Sequence, residues 1–222
     1  MEEIKSTAGS TVEAVTGKTS AKAADQTEPP KIGLAVTLAG MGLMTAIVFV
    51  LQWLSGIITL GPFNITLALA PIIIGAAVYG TWAGAWLGFV FGGAVLLCGQ
   101  AAAFFPLNPV GTIVTVLVKG TLAGLLAGLA YNAINKKNKY IAVVTAGIIT
   151  PVVNTGMFLV GCFIFFMDTI SEWAAGAGQP VMEYIIIGFI GLNFPIELMI
   201  NLALSTVIVT IIGFVKKTIA EK

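Results

Sequence analysis

Between Asn108 and Asn132 the chain reads N-P-V-G-T-I-V-T-V-L-V-K-G-T-L-A-G-L-L-A-G-L-A-Y-N, an apolar run broken by one charge, Lys119. About 20 such residues cross the hydrocarbon core of a bilayer, and a helix satisfies every backbone N–H and C=O there. The run is therefore a membrane-spanning helix. An ammonium in its middle costs at least ~2.5 to 3.5 kcal/mol on insertion scales, so it must face a bundle interior or a wet cavity and meet a partner there. The rest of the chain agrees: 58% of its 222 residues are hydrophobic and 9% charged, with a mean hydropathy of +1.01. That composition belongs to an all-α integral membrane protein.

What the sequence lacks narrows the chemistry. There is no histidine, so the commonest metal ligand and the usual acid/base catalyst at neutral pH are both missing. Cys98 and Cys162 sit in apolar surroundings without metal-site spacing and read as small buried hydrophobes. The only aspartates, Asp25 and Asp168, lie outside the spans, and no serine has a nucleophile-elbow context. The expectation is a protein with no metal, no cofactor and no enzymatic activity. A net charge of +1 says nothing about nucleic acid, and with no basic run beyond Lys136, Lys137 and Lys139 no nucleic-acid partner is expected.

Taken in order, residues 1–31 form a polar segment rich in Thr, Ser, Ala and Glu that closes on Pro29-Pro30, and they read as a disordered cytoplasmic tail. Glu2 and Glu3 at its front, with no apolar core behind them, do not make a signal peptide. Gly17-Lys18-Thr19 imitates the end of a phosphate-binding loop, but Val12 stands where its first glycine would fall. Residues 32–217 are expected to form one domain of six transmembrane helices. The spans are Leu34–Leu54, Asn64–Tyr79, where Pro71 allows a kink or a tilt, Thr81–Leu97, the run around Lys119, Tyr140–Met167 and Phe194–Val215. In the last of these Asn193 serves as N-cap and Pro195 sits in the first turn, leaving 181–192 as a separate apolar segment at the outer surface or over the site.

Charge sets the orientation. All eleven cationic residues are lysines, placed in the tail, in the 136–139 loop, after residue 215 and at Lys119. The segment 168–183 carries Asp168, Glu172 and Glu183 and no lysine. The positive-inside bias puts both termini and the N-K-K-N-K loop in the cytoplasm and the acidic segment outside.

Spacing also predicts contacts. Gly80, Gly84, Gly88 and Gly92 recur every four residues, echoed by Gly120, Gly124 and Gly128; such ridges let helices pack closely in lipid. Ala35, Ala39, Gly42 and Ala46 place a second small-residue face on the first span, suited either to an internal contact or to a partner subunit. On a rise of ~1.5 Å per residue, Lys119 lies ~13 Å and Glu197 ~5 Å from the outer end of its helix, near enough for two long side chains to pair or to face a solute. Asn154, beside the Thr150-Pro151 break, and Asn193 and Asn201 could turn amides into the same space, Asn154 and Asn201 equally well bonding between helices, while Gln100, Asn108 and Trp173 could close it from the outer loops or simply be exposed there. Trp82 and Trp86 fit an interfacial belt at the inner side.

These residues resemble a known family. P-I-I-I-G-A-A-V-Y-G-T-W-A-G-A-W-L-G at 71–88, V-K-G-T-L-A-G-L-L-A-G from Val118, P-V-V-N-T-G from Pro151 and N-F-P-I-E from Asn193 are similar, in that order, to the substrate-binding S components of energy-coupling factor (ECF) transporters. The resemblance implies a six-helix bundle in a bacterial or archaeal cell membrane that captures a vitamin or related micronutrient at its outer face. It implies as partners a transmembrane coupling subunit, which would dock on the Ala35/Ala39 face, and two cytoplasmic ATPases. On that reading Lys119 neutralises a carboxylate or phosphate, as in a pantothenate- or folate-like compound, though riboflavin or another ring system also fits. Glu197 takes an amine, hydroxyl or ring N–H, Asn154 fixes orientation, and Asn193, Gln100 and Trp173 complete the pocket. A self-sufficient secondary transporter or channel is the alternative, without the inverted repeat of broken helices that such proteins favour.

Overall fold

The computed structural model describes residues 33–57, 59–60, 63–64 and 66–220; the expectations for the tail and for Gly17-Lys18-Thr19 lie outside them. Eight α-helices are described: α1 Leu34–Ser55, α2 Leu69–Tyr79, α3 Thr81–Leu97, α4 Pro109–Asn135, α5 Lys139–Phe165, α6 Met167–Gly176, α7 Val181–Tyr184 and α8 Asn193–Ala220. A π-helical turn, Ile185–Ile190, continues α7. Thr59–Leu60 (β1) and Phe63–Asn64 (β2) pair antiparallel as a two-residue ladder, the one departure from an all-helical chain among the described residues.

α1, α4, α5 and the stretch Val181–Ile219 are long and apolar enough to cross a membrane, whereas α2 and α3 are shorter. At ~1.5 Å per residue the 11 residues of α2 span about 16 Å. Its start corrects the expected span from Asn64: Pro71 falls in the first helical turn, where its missing N–H breaks no hydrogen bond. Ser55 secures the connection, its Oγ accepting from the Leu67 N–H at 3.0 Å while donating to the Leu51 carbonyl at 2.8 Å. Between α2 and α3 only Gly80 intervenes, at φ 102°, a conformation open to glycine without strain.

The glycine ridges set the centre of the bundle. α3 and α4 run antiparallel with Gly84 against Gly124, Gly88 against Gly120 and Gly92 against Val116. A Cβ at Gly88 would lie 2.7 Å from the Gly120 carbonyl carbon, and one at Gly128 2.7 Å from the Thr81 Cα. The backbones touch, as the spacing predicts. Around this pair lie three apolar clusters. One joins α2, α4, α5 and α8 through Ile73, Tyr131, Val143 and Ile208, and another joins α1 to α2 and α3 through Val48, Ile72, Leu87 and Phe91. The third holds Phe104, Cys162, Phe166, Ile170 and Phe189.

α1 presents Ala35, Ala39, Gly42 and Ala46 outward, all four exposed. The internal-contact reading of this face therefore fails; Gly40, which packs on Tyr79, is the small residue that turns inward. In the last apolar stretch the break expected before Asn193 is present: Gly191 takes φ 37° and its N–H bonds to the Ile186 carbonyl at 2.8 Å. Asn193 does not cap the following helix, however, because its Oδ1 is buried without a hydrogen-bond partner. Pro151 stands inside α5, where it removes a backbone donor, and beside it the Thr150 hydroxyl donates to the Ala146 carbonyl at 2.6 Å.

Candidate functional site

One face of α4 carries Thr112, Thr115 and Lys119, spaced three and four apart so that they project together. Opposite them α5 places Asn154 and Phe158, and α8 places Asn193 and Glu197, each pair four apart. Between the three helices opens a cavity of about 110 Å³, which α1 and α3 border with Gln52, Phe91 and Val95. A single water needs about 10–15 Å³ of such space. The cavity thus admits a small organic molecule.

Lys119 is the cationic residue in the lining. Its Nζ stands 5.6 Å from the Phe91 ring centroid and 5.5 Å from that of Phe158, so two aromatic faces supply part of the stabilisation an ammonium needs away from water. Glu197 lines the same cavity and its charge reaches Lys119, yet no ion pair joins them among the described residues. The carboxylate is otherwise engaged. Glu197 Oε1 accepts the Thr66 N–H at 2.8 Å and the Thr66 side chain bonds to it as well, tying the segment before α2 to the start of α8.

Other polar groups in the lining lack partners. The Oδ1 atoms of Asn154 and Asn193, the Oε1 of Gln52 and the Oγ1 of Thr115 are buried with no hydrogen-bond partner. An orphaned buried polar atom costs about 1–3 kcal/mol, and all four belong to residues that line the cavity. At the mouth, Gln52 Nε2 donates to Gln100 Oε1 and Gln100 Nε2 donates to the Gln52 carbonyl at 2.8 Å, clasping α1 to the loop after α3.

Aromatic rings make the roof. Phe104 lies 5.0 Å from Phe166, 5.6 Å from Phe158 and 6.0 Å from Phe189 between ring centroids. Phe189 comes from the π-helical turn, so the 181–192 segment contributes a ring to the cavity lining.

The structure thus brings Lys119, Asn154, Asn193, Glu197 and Gln100 around one cavity. Trp173 is not in the lining; it packs behind the roof, 5.9 Å from Phe104. Asn108 caps α4 instead, accepting the Gly111 N–H at 2.8 Å. Asn201 lies one turn below Glu197, where its Nδ2 donates to the Glu197 carbonyl at 2.8 Å. Sequence reasoning missed Gln52, Thr66, Thr115 and the phenylalanines. Thr115 was legible as a polar residue on the Lys119 face of α4, and Gln52 as the amide of an otherwise apolar first span. The phenylalanines carry no signal that separates a cavity wall from a lipid-facing ring.

The family model described as "ECF transporter, substrate-specific component" matches residues 36–212, most of the chain. Nothing matches among curated proteins or solved structures. The chain belongs to the ECF transporter substrate-specific components, multi-pass membrane subunits that bind a small molecule and work with transmembrane and ATPase partners.

Proposed function

We infer that this S component captures a vitamin-like organic solute, carrying an anionic group and a planar ring, for ATP-driven import across the cell membrane. The observation that carries the reading is the cavity itself, lined by one ammonium, four residues with an unpartnered polar atom and a set of phenylalanines. Lys119 neutralises a carboxylate or phosphate. The amide oxygens of Asn154 and Asn193 receive N–H or O–H donors, and Phe91, Phe104 and Phe158 flank the ring. Glu197, held by Thr66, fixes the cavity floor and sets the field around Lys119.

In this reading α2 with its preceding connection and α3 make the two shorter of six crossings. The lysine-bearing ends lie in the cytoplasm and the cavity opens outward. The exposed Ala35, Ala39, Gly42 and Ala46 face docks on the coupling subunit, whose two ATPases drive reorientation. A self-sufficient transporter is not favoured.

The test is mass spectrometry of small molecules that co-purify with the detergent-solubilised protein, comparing wild type with Lys119→Met. A charge-assisted hydrogen bond contributes about 1.5–3 kcal/mol, so the variant is expected to bind roughly 10- to 150-fold more weakly. A vitamin-like compound retained equally by both proteins removes Lys119 from the site.

A further inference from the structure

At the end of α4 away from the substrate cavity lies a second cavity, of about 310 Å³, between α4, α5 and α8. Its lining divides by chemistry. Lys139, Lys216 and Lys217 stand at the helix ends, and Val143, Val209 and Ile212 form an apolar wall beneath them. Lys139 and Lys216 lie near enough to repel each other. Lys216 Nζ sits 5.2 Å from the Tyr131 ring centroid and donates to the Tyr131 hydroxyl at 3.5 Å. Tyr131 is 1% exposed. Its own O–H has no acceptor among the described residues, and no described carboxylate lines the cavity.

We propose that this cavity is a binding site for the phosphate headgroup of an anionic phospholipid. A phosphodiester between Lys139 and Lys216 relieves their repulsion and takes the hydrogen bond that the Tyr131 O–H has left to give. Charge alone fits free phosphate equally well. The apolar wall decides for lipid: from Val209 to Lys216 is seven residues of helix, about 10 Å at ~1.5 Å each, enough to flank the glycerol and the first methylenes of an acyl chain. Basic pockets between helices on the cytoplasmic side bind anionic headgroups in this way, and the positive-inside pattern of the lysines puts this end there.

Native mass spectrometry of the full chain in detergent tests the site, after incubation with phosphatidylglycerol, phosphatidylcholine or inorganic phosphate. Phosphatidylglycerol is expected to remain bound, and phosphatidylcholine is not. At roughly fivefold per lysine, the double variant Lys139→Gln, Lys216→Gln weakens retention about 30-fold. A second variant leaves every charge in place: Gly213 has open space where a Cβ would stand, and Gly213→Leu fills the groove and weakens retention too. Equal retention of the two lipids overturns the proposal, as does unchanged retention in both variants. Displacement by millimolar inorganic phosphate assigns the site to a free anion instead. A double variant that keeps its lipid but no longer co-purifies with the coupling subunit makes the cluster a protein contact.

Discussion

The α3–α4 ridge predicts what one methyl group does to the whole bundle. Alanine at Gly88 puts a Cβ 2.7 Å from the Gly120 carbonyl carbon and 3.2 Å from the Thr121 Cα, and closer still to the Gly120 oxygen. All three are backbone atoms of the facing helix, so no side chain can rotate away and α4 itself must move. Overpacking of this kind costs about 1–3 kcal/mol. Gly93, five residues further along α3, has nothing within 4 Å of its Cβ position and is the control. Both substitutions gain the same helix propensity, so the difference between Gly88→Ala and Gly93→Ala isolates the clash. For a body of this size about 2–4 °C accompanies each kcal/mol, and Gly88→Ala should melt roughly 2–12 °C below Gly93→Ala in a thermal-shift assay on solubilised protein. Because Lys119 precedes Gly120, displacement of α4 should weaken ligand binding as well. Two variants melting within 1 °C of each other would show that the backbones are not in contact.

The remaining predictions concern the cavity and the outer face. Asn154→Leu removes a buried amide whose oxygen has no partner; the unliganded protein should melt higher by about 1–3 kcal/mol of added stability while losing ligand-induced stabilisation, and a lower melting point with binding intact contradicts the assignment. Trp173→Ala removes the ring behind Phe104; an aromatic pair contributes about 0.5–1.5 kcal/mol, so equilibrium binding should weaken by up to roughly tenfold, less than in Lys119→Met. Gly42→Leu adds bulk where nothing stands within 4 Å, so ligand affinity should hold while pull-down of the coupling subunit fails.

Much of the bundle was legible because a bilayer leaves few choices. Apolar runs of sufficient length, lysines confined to their ends and one lysine within a run predict helices, their ends and an interior site. The ridges of α3 and α4 were legible for a related reason: a four-residue glycine period has one packing use, and the register follows once two such ridges face each other. Lys119, Asn154 and Glu197 stood out because polar groups inside apolar helices need partners.

Other features depend on neighbours that periodicity does not record. Asn193 reads as an N-cap from its place before Pro195, yet past the turn at Gly191 it lines the cavity and its amide oxygen is buried without a partner. Glu197 reads as the partner of Lys119, but Thr66, 131 residues away in sequence, takes its carboxylate first. Trp173 reads as a loop residue that could close the site, and only the tertiary packing puts Phe104 in the wall and Trp173 behind it. The sequence alone determined that this chain crosses a membrane as helices and holds a lysine within them, since burial in lipid prices each residue singly. Which groups meet around that lysine was decided by tertiary structure, because contacts between distant residues exist only once the helices have packed.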